Sequence, residues 1–268
     1  MIKKSRKERR KEKKAKQYCE QLEYHSDSSN SSENSNDSSN KLGKNWTKIE
    51  NKNKTEPNTN LKNILKLIYL QKKLLLNSQF YAKLNVEVIP KLKDFGVMEI
   101  VAYGIGMISE SRTSQLQFAF LLLLMEELGL DQAYAFDPVS NEHDKEVYSH
   151  YGMSYIDKNE NGCRVATEKT LFYMPHCEGF LYESVLVANK TEDISNKCFD
   201  GWKKLAIVGN NFSEFLDKQS VHKISKLYPN LDVAKDIAQS SSFPDEEMYG
   251  KEWSVSHHPF NDTSLIMF

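Results

Sequence analysis

Apolar positions are spaced in two ways along this chain, and the change of spacing divides it. Leu61, Ile64, Leu65, Ile68, Leu75 and Leu76 recur at helical intervals, which gives one helix an apolar face. A second helix is predicted over 80–92, around Leu84, Val88 and Ile89, with Pro90 limiting it. Beyond residue 95 short apolar runs alternate with longer amphipathic ones. The run 97–103 (VMEIVAY) is uninterrupted by turn residues and is stopped by Gly104, as expected of a buried parallel strand. Further strands are predicted at 133–136, 153–156, 170–174 and 205–208, each stopped by Pro, Gly or a polar residue. Helices are predicted between them at 113–128, closed by Gly129, at 142–150 and at 180–188.

Strands alternating with helices predict an α/β fold with a Rossmann-like, mostly parallel, doubly wound sheet, preceded by helices. The first 59 residues have a different pattern. Residues 26–40 are only Ser, Asn, Asp and Glu, with no apolar side chain to bury, and Trp46 and Ile49 are isolated among polar neighbours. Such a segment cannot offset the entropy lost on ordering. The organisation expected is a disordered basic and Ser/Asn-rich arm over 1–59 and one α/β domain over 60–268, made of a helical lead-in (60–94) and a core (95–268).

Charge sharpens this division. The whole chain of 268 residues carries a formal net charge of −1, but residues 1–17 hold ten Lys/Arg against two Glu. That is +8 on residues 1–17, which leaves −9 on the remainder of the chain. The arm reads as a nuclear-import or polyanion-contact patch, or as a solvated tail; no aromatic residue interleaves its charges, so base stacking is not supported. The longest apolar run, 118–125, is far shorter than the ~20 residues a membrane-spanning helix needs, so no membrane partner is expected. Cys19, Cys163, Cys177 and Cys198 are too few and too scattered for a disulfide-built scaffold and fit a reducing compartment.

Candidate chemistry lies where strands end. Gly104-Ile105-Gly106 follows the first strand and precedes a helix, the setting in which glycines let backbone approach a ligand and a helix N-terminus favours an anion. The position of a third glycine holds Ser109, and Asp137, closing the second strand, lies further downstream than the usual acidic partner of a dinucleotide. A plain flexible turn explains the glycines equally well. Ser109 or Ser111 can cap the next helix, and Arg112 can hold a phosphate or carboxylate, or pair with Glu110 or Asp137. His176 and Cys177 follow the fourth strand; adjacent residues seldom aim at one atom, which favours a hydrogen-bonded His over a base with a thiol nucleophile. Asn210 follows the fifth strand in a Gly-Asn-Asn turn. The candidate ligand-binding set is therefore Gly104, Gly106, Ser109, Arg112, Asp137, His176 and Asn210; no catalytic residue and no metal ligand set is assigned, and no cofactor is firmly implied.

These blocks together resemble a known family. Tyr103-Gly104-Ile105-Gly106 with Ser109 and Ser111-Arg112-Thr113-Ser114-Gln115, the leucine run to Glu126-Glu127-Leu128, Asp137-Pro138 and the acidic stretch through Asp144 are similar to the Sensitivity to Red-light Reduced family. So are Phe172-Tyr173-Met174-Pro175-His176-Cys177, Gly209-Asn210 with Phe212, and Phe260-Asn261-Asp262-Thr263-Ser264. The resemblance covers about two-thirds of the chain and implies a regulatory role; the cytoplasm is expected from the cysteine usage, and the nucleus as a second location from the basic arm. The resemblance further implies roles in circadian-clock input, light signalling and regulation of haem biosynthesis, through an unidentified regulatory protein or small ligand, with no established reaction. The rival is a nucleoside-cofactor enzyme such as a methyltransferase.

A chain lacking residues 1–59 is expected to keep its cooperative melting transition, followed by circular dichroism; a lost or strongly lowered transition contradicts the division of the chain.

Overall fold

The computed structural model describes residues 57–191, 199–244 and 258–268, with side chains from residue 60 onward. The expected arm falls outside them up to residue 56, and the first helix already begins at Pro57. In order, the elements are α1 (Pro57–Leu76), α2 (Gln79–Glu87), α3 (Ile89–Phe95), β1 (Glu99–Tyr103), α4 (Arg112–Leu128) and β2 (Ala133–Phe136). Then come α5 (Glu142–His150), β3 (Met153–Tyr155), β4 (Thr170–Met174), α6 (Gly179–Asn189), a 3-10 turn (Asp200–Lys204) and β5 (Leu205–Asn210). The described chain ends with α7 (Phe212–Asp217), α8 (Val221–Leu227), α9 (Pro229–Ile237), β6 (Gln239–Ser242) and β7 (Thr263–Met267).

The strands form one seven-stranded sheet in the order β3-β2-β1-β4-β5-β7-β6. β1 to β5 are mutually parallel, whereas β7 runs antiparallel to both β5 and β6. This is the mostly parallel α/β fold that the alternation predicts. Successive strand residues point to opposite faces, and the core divides accordingly. Ile100, Ala102, Leu171, Tyr173, Ala206 and Val208 join the cluster built with α1 to α5. Val101, Phe172, Met174, Leu205 and Ile207 join a second cluster built with α6 to α9 and the 3-10 turn. Both faces are covered, which is why these strands lack polar alternation.

Three segments differ from expectation. The stretch 80–92 is two helices broken at Val88, and Pro90 sits in the first turn of α3, where its missing N–H costs nothing. Proline here begins a helix rather than ending one. The helices α7 to α9 and the β6–β7 pair have no counterpart in the pattern. β6 reads Gln-Ser-Ser-Ser and lies at the sheet edge, so burial never required apolar residues there. Of the two cysteines among the described residues, Cys177 is free and buried and Cys163 is disulfide-bonded. No helix among the described residues is long and apolar enough to cross a membrane.

One buried carboxylate fixes how α9 docks. The α9 N-terminus has no side-chain cap of its own. Glu183, fully buried in α6, supplies one by accepting from Asn230 N, Asn230 Nδ2 (2.6 Å) and Leu231 N (2.8 Å). Desolvation pushes its pKa up, against the lowering effect of those same donors. Removing the carboxylate strands several N–H groups of a helix N-terminus in the core. Glu183→Ala should lower the unfolding free energy by about 3 kcal/mol, measured by urea denaturation; a change below ~1 kcal/mol would mean that the cap is dispensable.

Candidate functional site

The parallel pairing of β2, β1, β4 and β5 places the loops that follow them along one edge, and the strand order reverses between β1 and β4. In open α/β sheets that reversal leaves a crevice beyond the strand ends. All seven candidate residues stand along this edge, in two groups.

The first group surrounds the β1–α4 loop. Gly104 and Gly106 have φ of 72° and 81°, the left-handed region that favours glycine. A Cβ on Gly104 would lie 2.6 Å from Cys177 Sγ, and one on Gly106 would lie 2.6 Å from Ser114 Oγ. Both glycines are therefore required twice over, by conformation and by space. Asp137, buried at the end of β2, accepts from Gly106 N at 2.7 Å and from Val139 N at 2.9 Å. Ser109 N donates to Asp144 Oδ1 at 2.7 Å, and Asn141 Nδ2 donates to Ser109 Oγ at 2.9 Å. Asn141 and Asp144 also form the capping box of α5. One helix cap thus serves two purposes: it starts α5 and it holds the neighbouring loop. Ser111 is the N-cap of α4, and Arg112, partly buried, is that helix's first residue.

The second group surrounds the loops after β4 and β5. His176 is exposed and has φ 54°, a strained value for a residue with a side chain. Asn210 holds it: His176 N donates to Asn210 Oδ1 at 3.1 Å, and Asn210 Nδ2 donates to Cys177 O at 3.2 Å. Asn210 N in turn donates to the Tyr182 hydroxyl (2.9 Å), which donates to Met174 O (2.6 Å). The imidazole Nε2 lies 3.0 Å from Pro259 O, which also accepts from Gln117 Nε2 at 2.8 Å. The two groups meet where Gly104 lies against Cys177.

The chemistry open to this edge follows from those contacts. Cys177 and His176 do not form a pair. The thiol is buried and directed at Tyr103 O, 3.4 Å away, and burial raises its pKa well above the usual thiol range. A buried thiol held protonated is a poor nucleophile. Asp137 uses one lone pair of each oxygen on backbone N–H groups, and a carboxylate has about four such sites. Beside the second group, Lys218 binds Asp262 at 2.8 Å and lowers its pKa, while desolvation and Asp262 raise that of Glu214. Among the described residues no group of three or more His, Cys, Asp or Glu side chains is placed to hold a metal.

Sequence reasoning missed Asn141, Asp144, Tyr182 and the Pro259 carbonyl. The Asn-x-x-Asp spacing of a capping box was available as a signal for the first two. A backbone carbonyl has no such signal.

Buried and exposed members of the edge should respond differently to mutation. Asp137→Asn leaves a single acceptor for two backbone donors and is expected to cost about 1–3 kcal/mol. Arg112→Gln and His176→Gln should stay within about 1 kcal/mol. Urea denaturation of the three variants checks this, and equal costs in all three would refute the division into loop-holding and outward groups.

Comparison with known proteins identifies relatives. The SRR1 domain family matches residues 61–267. An SRR1-like protein of Mus musculus is 28% identical over 149 residues, 54% of this chain and 57% of the relative. The Arabidopsis thaliana protein SENSITIVITY TO RED LIGHT REDUCED 1 is 32% identical over 125 residues, 46% of this chain and 43% of the relative. An SRR1-like protein of Drosophila melanogaster is 27% identical over 171 residues, 63% and 54% of the two chains. The chain thus spans about half the length of the curated relatives it matches. No solved structure matches.

Proposed function

Because the chain belongs to the SRR1 domain family, we propose that it is a regulatory protein whose Rossmann-like domain takes a small nucleoside-type ligand at the β1–β4 edge. In this reading the ligand state of the edge governs association with a regulatory partner. The biological setting proposed is clock and light input together with control of haem biosynthesis, in the cytoplasm and nucleus. The name of the Arabidopsis relative, SENSITIVITY TO RED LIGHT REDUCED 1, supports the light-signalling part.

One observation carries the ligand reading. The β1–α4 loop bends through two left-handed glycines at the point where the strand order reverses, and it is tied to a carboxylate at the end of β2. Backbone brought this close to a switch point suits a ligand with a sugar or anionic group. The surrounding hydrogen bonds fix the loop before any ligand arrives, and such pre-organisation lowers the entropic cost of binding.

A second reading, a nucleoside-cofactor enzyme such as a methyltransferase, rests on the carboxylate. Asp137 stands at the end of β2 beside the glycine loop, the place where an acidic side chain meets a ribose hydroxyl in nucleoside-binding sheets. Fold likeness alone does not carry a reaction.

The deciding experiment is a thermal-shift screen of the full chain against adenosine, NAD, S-adenosylmethionine and haem. A ligand at 100 times its Kd that binds only the folded state adds about 2.7 kcal/mol of stability. Stabilisation by a nucleoside, reduced in Arg112→Gln, is the expected result; methyl transfer in addition selects the enzyme reading. No shift with any nucleoside overturns the ligand reading.

A further inference from the structure

Helix α1 buries one face and leaves a chemically ordered face outside. Ile64, Ile68, Gln71 and Leu75, spaced four, three and four apart, are buried against the domain, and the helix packs along α4. Its outward face carries Lys62, Lys66 and Lys73, all exposed. At 100° per residue these three lysines fall within an arc of about 40° and span about 16 Å of helix. Tyr69 (53% exposed) and Leu76 (48%) lie on one side of that row, and Leu70 (48%) on the other. The helix has no acidic residue at all. Its fourth lysine, Lys72, is set apart by an ion pair with Glu126.

The arrangement is a central row of cations between two apolar margins. That order decides between occupants. A helix lying in an anionic membrane surface has the reverse order, with a central apolar stripe sunk between the acyl chains and lysines at its margins. A nucleic-acid backbone would use the lysines but leave the leucines and tyrosine without a partner. A complementary protein surface would use both: carboxylates over the row, and apolar side chains over the margins, displacing water from Tyr69, Leu70 and Leu76. Lys73 Nζ already lies 4.8 Å from the centre of the Tyr69 ring, so that ring and the ammonium form a single recognition element.

We propose that the outer face of α1 is a docking surface for an acidic amphipathic segment of a protein partner, with a central carboxylate row flanked by apolar residues. Charge complementarity to a helix without a single carboxylate is the argument for the partner's sign, and the apolar margins are the argument for its amphipathic form. The surface does not depend on the ligand reading of the β1–β4 edge.

The test uses the full chain and a labelled synthetic 20-residue helix with a central Glu row and Leu on both margins, followed by fluorescence anisotropy. Polyglutamate of equal length, phosphatidylserine vesicles and duplex RNA are the comparison probes. The amphipathic peptide should bind at least tenfold more tightly than polyglutamate. Reversing the row (Lys62→Glu, Lys66→Glu and Lys73→Glu together) should weaken peptide binding at least tenfold. Tyr69→Ser with Leu70→Ser should weaken the peptide severalfold and leave polyglutamate unchanged. All substituted positions are exposed, and unaltered melting curves verify the fold. Undiminished peptide binding after row reversal overturns the proposal. So does peptide binding that is lost when the Lys/Arg of residues 1–17 become Gln but survives row reversal. A row reversal that weakens vesicle or RNA binding and spares the peptide also overturns it.

Discussion

The close approach of two loops, with Gly104 against the Cys177 thiol, is the constraint from which the functional edge is built. The sheet brings β1 and β4 side by side, and their continuations must diverge to opposite faces, to α4 on one and α6 on the other. With only hydrogen on Gly104, the β1 loop turns directly over the β4 loop; a Cβ would meet the sulfur at 2.6 Å. The thiol fills the gap and donates to Tyr103 O, so the crossing is packed and hydrogen-bonded. The positions of Gly106, Ser109 and His176 all follow from this crossing.

Carboxylates hold the rest by a common device. Asp137, Asp144 and Glu183 are buried, and each accepts N–H donors from another segment of backbone. A buried charge is tolerated only when its lone pairs are met, and backbone N–H groups meet them without a mobile cation side chain. Each carboxylate therefore acts as a geometric tie: β2 to the β1–α4 loop, α5 to the same loop, and α6 to α9. Salt bridges among the described residues lie mostly at the surface, where such pairs contribute little.

How much of this was legible depended on whether a feature leaves a local trace. β1, β2 and β4 were legible because apolar runs end at Gly104, Asp137 and Pro175, and α4 because its cap and its Gly129 stop are local. The gathering of Gly104, Gly106, Asp137, His176 and Asn210 along one edge was legible as well, since parallel strands share a carboxyl end. β6 was invisible because an edge strand of Gln and Ser has no buried face to mark it. Pro90 misled because the same residue can end one helix or start another, and only the Val88 dihedrals choose. Asp144 was read as part of an acidic stretch; its bond to Ser109 joins residues 35 apart and has no sequence periodicity.

The reversed strand has a kinetic consequence. Among the described residues β6 touches the sheet only through β7, and β7 follows it in sequence. Until residues 263–267 add to β5, the flank of β5 stays open, with a row of unpaired N–H and C=O groups facing outward. The half of the sheet from β3 to β5 can form in chain order, each strand finding its neighbour as it is made. The other half is closed from its far end backward, by a strand that must reach past one not yet in place. An open flank of Leu, Ala, Ile and Val is a template for another chain as well as for β7, so the interval before closure is when this protein is most exposed to self-association.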